Sequence, residues 1–160
     1  MKVSDQIAKA MEKYFCDKEV LEIACGNADF SISASAYAKE VIATDLSLER
    51  VYRKGAMDIP RNIRFLEMDA ASLTFKENSF DAVVCYNALG HLHEVIQPVL
   101  KEMTRVVKTE GVLLFIATWK MDRAILQLVN DEAISFQGLE VSQKIEGRNY
   151  GVLVVQKVNT

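Results

Sequence analysis

Val20-Leu21-Glu22-Ile23-Ala24-Cys25-Gly26-Asn27-Ala28-Asp29 is a short apolar run that carries one acid and then breaks into small residues. A run of this length and character reads as a buried strand. The small residues after it let the backbone turn sharply and approach a ligand closely. Phe30 to Lys39 is rich in Ser and Ala and reads as the helix leaving that turn. Strand, small-residue turn and helix make the first half of a βαβ unit, and the turn is the usual ligand site of such a unit.

Working back from this stretch, Ser4 is a candidate cap for a first helix that puts Ile7, Met11, Tyr14 and Phe15 on one face. That helix precedes the first strand, so it packs outside the sheet or over the site. Working forward, Glu40 to Asp45 is a second short apolar strand ending in an acid. Ser47 caps the next helix, with Leu48, Val51, Tyr52 and Gly55 marking its buried side, and Pro60 closes the unit. Asn62 to Met68 is a third strand, ending at Asp69, and Leu73 to Ser79 a loop. Phe80 to Tyr86 is almost continuously apolar, the mark of a strand covered on both faces. Pro98 suits the first turn of a helix carrying Val99, Leu100, Met103, Val106 and Val107 at helical spacing. Gly111 ends that unit, and Val112 to Ala117 is a fifth strand. Asp122 to Val129 reads as a short helix. Gly138 to Glu146 and Tyr150 to Val158 are strand-like, with only Gly147-Arg148-Asn149 between them, which predicts a hairpin. Five βα units and a hairpin predict an α/β fold. Its doubly wound sheet is mostly parallel, with an antiparallel C-terminal edge.

The 160 residues suit one domain, residues 1–160, and half of them are hydrophobic, enough for a sizeable core without staples. The net charge of −3 argues against a large nucleic-acid footprint, which needs a basic face. Cys16, Cys25 and Cys85 form no CxxC pair, and two of them sit in expected buried strands, Cys25 at the end of the first, Glu19 to Cys25. They are expected to be reduced thiols in a cytoplasmic setting, and with two histidines in the chain no structural zinc is expected. No apolar run approaches the ~20 residues of a membrane span, and no signal-peptide pattern opens the chain.

With these residues at the strand ends, the chain resembles the class I S-adenosylmethionine-dependent methyltransferases, in particular the small single-domain type 11 group. The resemblance is carried by Val20 to Ala28, by Ile42-Ala43-Thr44-Asp45-Leu46-Ser47 and by Phe65-Leu66-Glu67-Met68-Asp69-Ala70. It continues in Ser79-Phe80-Asp81-Ala82-Val83-Val84 and in Arg105 to Gly111. It implies a Rossmann-like seven-stranded sheet of order 3-2-1-4-5-7-6, with the hairpin as the last two strands. It implies S-adenosylmethionine as cofactor, bound by Glu22, Ala24, Gly26, Asp45, Leu46, Asp69, Ala70 and Asn87. In the family the acid at Glu22 braces the loop and the methionine ammonium. The acid at Asp45 accepts the ribose hydroxyls, for which two carboxylate oxygens are suited. Asp69 and the Ala70 amide meet the adenine, and Asn87 lies at the sheet's switch point beside the methionine end. The sequence departs from the pattern at Ala24 and Ala28, where the family usually has glycines, and at Thr109-Glu110, where it usually has Pro-Gly.

For the transfer itself, His91, in Gly90-His91-Leu92-His93-Glu94, is the expected catalytic base, with His93 second. No nucleic-acid or catechol signature and no metal-ligand set is evident, so a small-molecule acceptor is expected. No long insertion follows Ala117 to cover the substrate, which makes residues 1–17 a candidate lid. A second copy or a partner chain is the other source of cover. The alternative function is a non-catalytic cofactor-binding or partner subunit with the same fold. A nicotinamide oxidoreductase is disfavoured because Asp29 stands where its fingerprint needs a third glycine.

Overall fold

The computed structural model describes residues 1–55 and 58–159. Among them seven strands form one sheet: β1 (Glu19–Ile23), β2 (Glu40–Asp45), β3 (Ile63–Glu67), β4 (Phe80–Tyr86), β5 (Val107–Ala117), β6 (Leu139–Glu146) and β7 (Gly151–Lys157). Their order is β3-β2-β1-β4-β5-β7-β6, the order expected. The β1–β5 pairings are parallel, and β7 runs antiparallel to both β5 and β6. The helices are α1 (Val3–Ala10), α2 (Asp29–Ser35), α3 (Glu49–Tyr52), α4 (Leu89–Leu92), α5 (Ile96–Val106) and α6 (Lys120–Ser135).

Alternation along the strands builds two cores. Val20, Ala82, Val84, Leu114 and Val154 face one side, where Ile7 and Phe15 of the N-terminal segment and Phe30 and Ala34 of α2 cover them. Leu21, Val83, Cys85, Leu113 and Leu153 face the other, under Leu100 and Met103 of α5 and Val129 and Ala133 of α6. Central strands with both faces covered need the near-continuous apolar runs that the sequence carries. Every strand from β1 to β5 therefore ends on the same edge of the sheet, where the chain must turn and where ligands of such sheets bind.

Several local expectations are corrected. Ser4 is no cap: Lys2 occupies the cap position, and Ser4 is buried inside α1, where its hydroxyl pairs with Ser33 Oγ at 3.0 Å. Strand β1 stops at Ile23 because Ala24 turns to φ 50°, and α2 ends at Ser35 rather than Lys39. Of the expected buried side of α3, Leu48 and Val51 are buried, but Tyr52 and Gly55 are exposed. Ser47 is no cap of α3 either: Leu48 occupies the cap position, and Ser47 Oγ, one residue earlier, accepts from the Glu49 amide at 3.3 Å. Gly111 lies inside β5, which starts at Val107 and bulges so that Phe80 and Ala82 pair with Val107 and Val112. No Cβ fits at Gly111: one would stand 2.8 Å from the Asp81 and Lys108 carbonyls. The last helix runs to Ser135, past the expected end at Val129. The thiols of Cys25 and Cys85 are buried and Cys16 is exposed, and none of the three is in a disulfide.

A cleft across five strand ends

The residues after β1, β2, β3, β4 and β5 line one cleft of about 630 Å³. That volume falls in the range of small-molecule sites. Sheet order fixes its long direction. Asp69 and Ala70 stand after β3 at one end, Asp45 and Leu46 after β2, and Ala24 to Gly26 after β1. Asn87 follows β4, and Trp119, after β5, closes the other end. Four strand spacings of ~4.8 Å make the cleft about 19 Å long.

The turn after β1 is built from alternating left-handed residues, with Ala24 at φ 50°, Gly26 at φ 58° and Ala28 at φ 65°. For alanine this region is disfavoured by about 1–2 kcal/mol per residue, and only surrounding contacts hold it. Those contacts are specific. The Cys25 amide donates to Thr44 O at 2.9 Å, and the Gly26 amide donates to Asp45 Oδ2 at 2.8 Å. Asn27 Oδ1 accepts from the Asp29 amide at 3.1 Å, where α2 begins. A Cβ on Gly26 would lie 3.0 Å from the Arg50 guanidinium, so Arg50 roofs the turn.

Glu22 lies behind the turn, on the α2 face of β1, and is only 1 % exposed. Its Oε1 accepts from the Ser31 hydroxyl at 2.5 Å and the Ser31 amide at 3.1 Å, while Oε2 has no partner among the described residues. Burial pushes its carboxyl up to about 8, against the pull of the Ser31 hydrogen bonds. Burial likewise pushes the thiols of Cys25 and Cys85 up, which leaves both inert as nucleophiles.

Asp45 is half-buried and spends one oxygen on the Gly26 amide and the other on the Ser47 amide, at 3.3 Å. Each oxygen keeps a further acceptor site toward the cleft. Asp69 Oδ1 accepts from the Ala71 amide at 2.9 Å. Leu46 is 74 % exposed at the cleft mouth and gives that end of the cleft an apolar surface.

The wall formed after β4 and β5 is different in kind. Asn87, at φ 51°, lines the cleft, and its carboxamide is held by Thr118: Nδ2 donates to Thr118 Oγ1 at 2.7 Å and Oδ1 accepts from the Thr118 amide at 2.8 Å. This clasp ties the ends of β4 and β5 together. Tyr86 stacks on Phe30 with ring centroids 4.9 Å apart. His91 is exposed on the cleft wall, whereas His93 stands apart from the cleft lining, with Nδ1 3.1 Å from Leu89 O.

The structure thus brings Ala24, Gly26, Asp45, Leu46, Asp69, Ala70, Asn87 and His91 to one cleft, with Glu22 immediately behind it. Sequence reading missed Arg50, Tyr86 and Trp119. Tyr86 ends an apolar strand and looked like core. Trp119 directly follows the fifth strand, and as the one tryptophan of the chain it was the available signal. Among the described residues no group of three or more His, Cys, Asp or Glu side chains is placed to hold a metal ion, and no helix is long and apolar enough to cross a membrane.

Known proteins carry the same pattern. The methyltransferase domain family matches residues 21–115. YqeM of Bacillus subtilis (strain 168), named as a methyltransferase, is 35% identical over 117 residues, which cover 69% of this chain and 47% of that one. A demethylmenaquinone methyltransferase of Staphylococcus saprophyticus is 32% identical over 105 residues, 62% of this chain and 44% of that one. The chain thus spans about half the length of the curated relatives it matches. Among solved structures, the N-methyltransferase NodS from Bradyrhizobium japonicum WM9 in complex with S-adenosyl-l-homocysteine superposes with a TM-score of 0.77 at 15% identity. That alignment covers 97% of this chain and 85% of that one, a likeness of fold.

Proposed function

This chain belongs to the class I S-adenosylmethionine-dependent methyltransferases, and from that premise we propose that it binds S-adenosylmethionine across the ends of β3, β2, β1 and β4 and methylates a small-molecule acceptor. One observation carries the reading: Asp69, Asp45 and the left-handed turn at Ala24–Ala28 stand in sheet order along a single cleft.

The groups present suit the cofactor. Asp69 and the Ala70 amide suit an adenine edge, with the exposed Leu46 side chain as an apolar face against the ring. Asp45, already oriented by the Gly26 and Ser47 amides, accepts the ribose hydroxyls. The turn at Ala24 to Gly26 receives the methionine end, and Glu22, with Oε2 unpartnered, braces it from behind. When bound, the cofactor supplies a methyl group on a sulfonium: the S–C bond breaks with its electron pair left on sulfur, and a bond to the acceptor atom forms. The chain's own work is alignment and exclusion of water. His91, exposed on the wall, is the group able to take the acceptor's proton.

S-adenosylhomocysteine should raise the melting temperature by mass action, and NAD should leave it unchanged. A folded protein whose melting temperature is indifferent to millimolar S-adenosylhomocysteine overturns the proposal. Formation of S-adenosylhomocysteine with an acceptor present separates an enzyme from a silent subunit of the same fold.

A further inference from the structure

The cofactor roles proposed above end at β4, yet the cleft continues to β5, and the remaining wall has a chemistry of its own. The charged residues lining the cleft, Asp29, Asp45, Arg50 and Asp69, all follow β1, β2 or β3. None of the lining residues after β4 and β5 is Lys, Arg, Asp or Glu. Asn87 and Thr118 are bonded to each other there, and the other polar side chains of this wall are the Tyr86 hydroxyl and the His91 imidazole. The apolar surface of the wall is Leu92, Val95, 44 % exposed, and the indole of Trp119, 61 % exposed.

Trp119 is held in this position by its backbone. It sits in the extended conformation (φ −86°, ψ 144°) directly before α6, and its carbonyl accepts from the Arg123 amide at 2.9 Å. The residue is thus fixed at the junction of strand and helix, with its ring outside the core. A large, flat, apolar side chain left in water on a cleft wall gains from covering by a flat apolar partner.

We infer that the wall after β4 and β5 is the acceptor subsite and that it takes a flat, uncharged aromatic ring, stacked on Trp119, with a hydroxyl turned toward His91. This assignment rests on the function proposed above and narrows it. A charged acceptor would find no Lys, Arg, Asp or Glu on this wall to pair with, whereas a flat uncharged ring gains by covering the indole. On a phenolic acceptor the O–H bond breaks and its proton passes to the His91 imidazole. The oxygen forms the new bond to the methyl carbon, and the electron pair of the broken S–C bond stays on the thioether sulfur.

The chain contains one tryptophan, so an ¹⁵N-labelled sample has a single indole N–H signal, that of Trp119. With the protein saturated with S-adenosylhomocysteine, 2-naphthol should shift that signal saturably. Cyclohexanol and 2-naphthol-6-sulfonate should bind at least about tenfold more weakly, the loss of stacking in one case and an unpaired charge in the other. Trp119→Ala and, independently, Val95→Asp should each weaken 2-naphthol by about tenfold, read from the ligand's own line broadening, with S-adenosylhomocysteine affinity within about twofold. Retained affinity for 2-naphthol in both variants, or cyclohexanol or the sulfonate binding as well as 2-naphthol, overturns the subsite. Absence of 2-naphthol binding while S-adenosylhomocysteine binds overturns the subsite alone. Absence of S-adenosylhomocysteine binding overturns the proposed function and this assignment with it.

Discussion

Glu22 and Asp45 stand two strands' width apart at most, but their surroundings set them to different work. Glu22 has its usual value near 4.5 in the unfolded chain and about 8 in the fold, the shift being due to burial. The folded state therefore holds a proton that the unfolded state has released, and stability falls as pH rises from 4.5 towards 8. Glu22→Gln keeps an oxygen for the two Ser31 donors and has no proton to lose. Melting temperatures across that window should therefore be flatter for the variant than for the parent, and parallel curves would mean that Glu22 is ionised in the fold. Asp45, half-buried, acts through its oxygens: Asp45→Ala removes the acceptor for the Gly26 amide and for the proposed ribose contacts. S-adenosylhomocysteine affinity measured by calorimetry should drop by ~1.5–3 kcal/mol, as for hydrogen bonds to a charged group. An unchanged affinity would reduce Asp45 to a brace of the turn. Asp45 was legible in the sequence because it ends an apolar strand, and Glu22 because it is the one acid within the apolar run Val20 to Cys25. The left-handed angles at Ala24 and Ala28 were not, since alanine gives no sign of φ. Arg50 and Trp119 were missed for a related reason: their importance lies in what they cover or leave uncovered, which depends on neighbours from other strands.

At the scale of elements, apolar pattern gave the existence and type of β1 to β7, while boundaries moved wherever a tertiary contact outweighed local signals. Gly111 reads as a breaker, yet it sits inside β5 because the strand bulges there against the Asp81 carbonyl, too close for any side chain. The N-terminal helix was the open question, since its apolar face could serve the core or the cleft. In the structure Ile7, Ala8 and Phe15 are fully buried, Phe15 packs edge-on to Phe30 at 5.9 Å, and Ser33 Oγ donates to Asp5 at 2.6 Å. Of this segment only Val3, at the first turn, lines the cleft. We propose accordingly that any closure belongs to the first turn alone. Hydrogen exchange should find residues 7–16 as protected as β1 without ligand, with S-adenosylhomocysteine adding protection chiefly at residues 1–6. Fast exchange over residues 7–16 that slows on binding would instead make the whole helix the lid.

For the molecule as a whole, the sheet separates where the protein is held together from where it would bind. Residues of β6 and β7 are absent from the lining of the cleft, yet β7 carries much of the core beyond β5, with Val152 and Val154 on one face and Leu153 and Val155 on the other. It also covers β5, whose buried stretch from Val112 to Ala117 would otherwise be an exposed apolar edge. The hairpin signal predicted an antiparallel edge, while the order of these strands, with β7 and not β6 beside β5, was implied only by the family resemblance. Val154 is fully buried in mid-sheet and pairs with Leu114. Val154→Ala should leave a cavity and cost about 1–3 kcal/mol, lowering the melting temperature by roughly 2–12 °C for a domain of this size. Sites that share no partners act almost additively, so the folded variant should bind S-adenosylhomocysteine with its affinity intact. Asp45→Ala should show the reverse pattern, a large loss of affinity with a smaller loss of stability. Measuring both quantities for both variants and for the double variant decides the matter. A Val154→Ala protein that binds tenfold more weakly would mean that the hairpin sets the shape of the cleft through β5, and that the β4–β5 clasp of Asn87 and Thr118 transmits it.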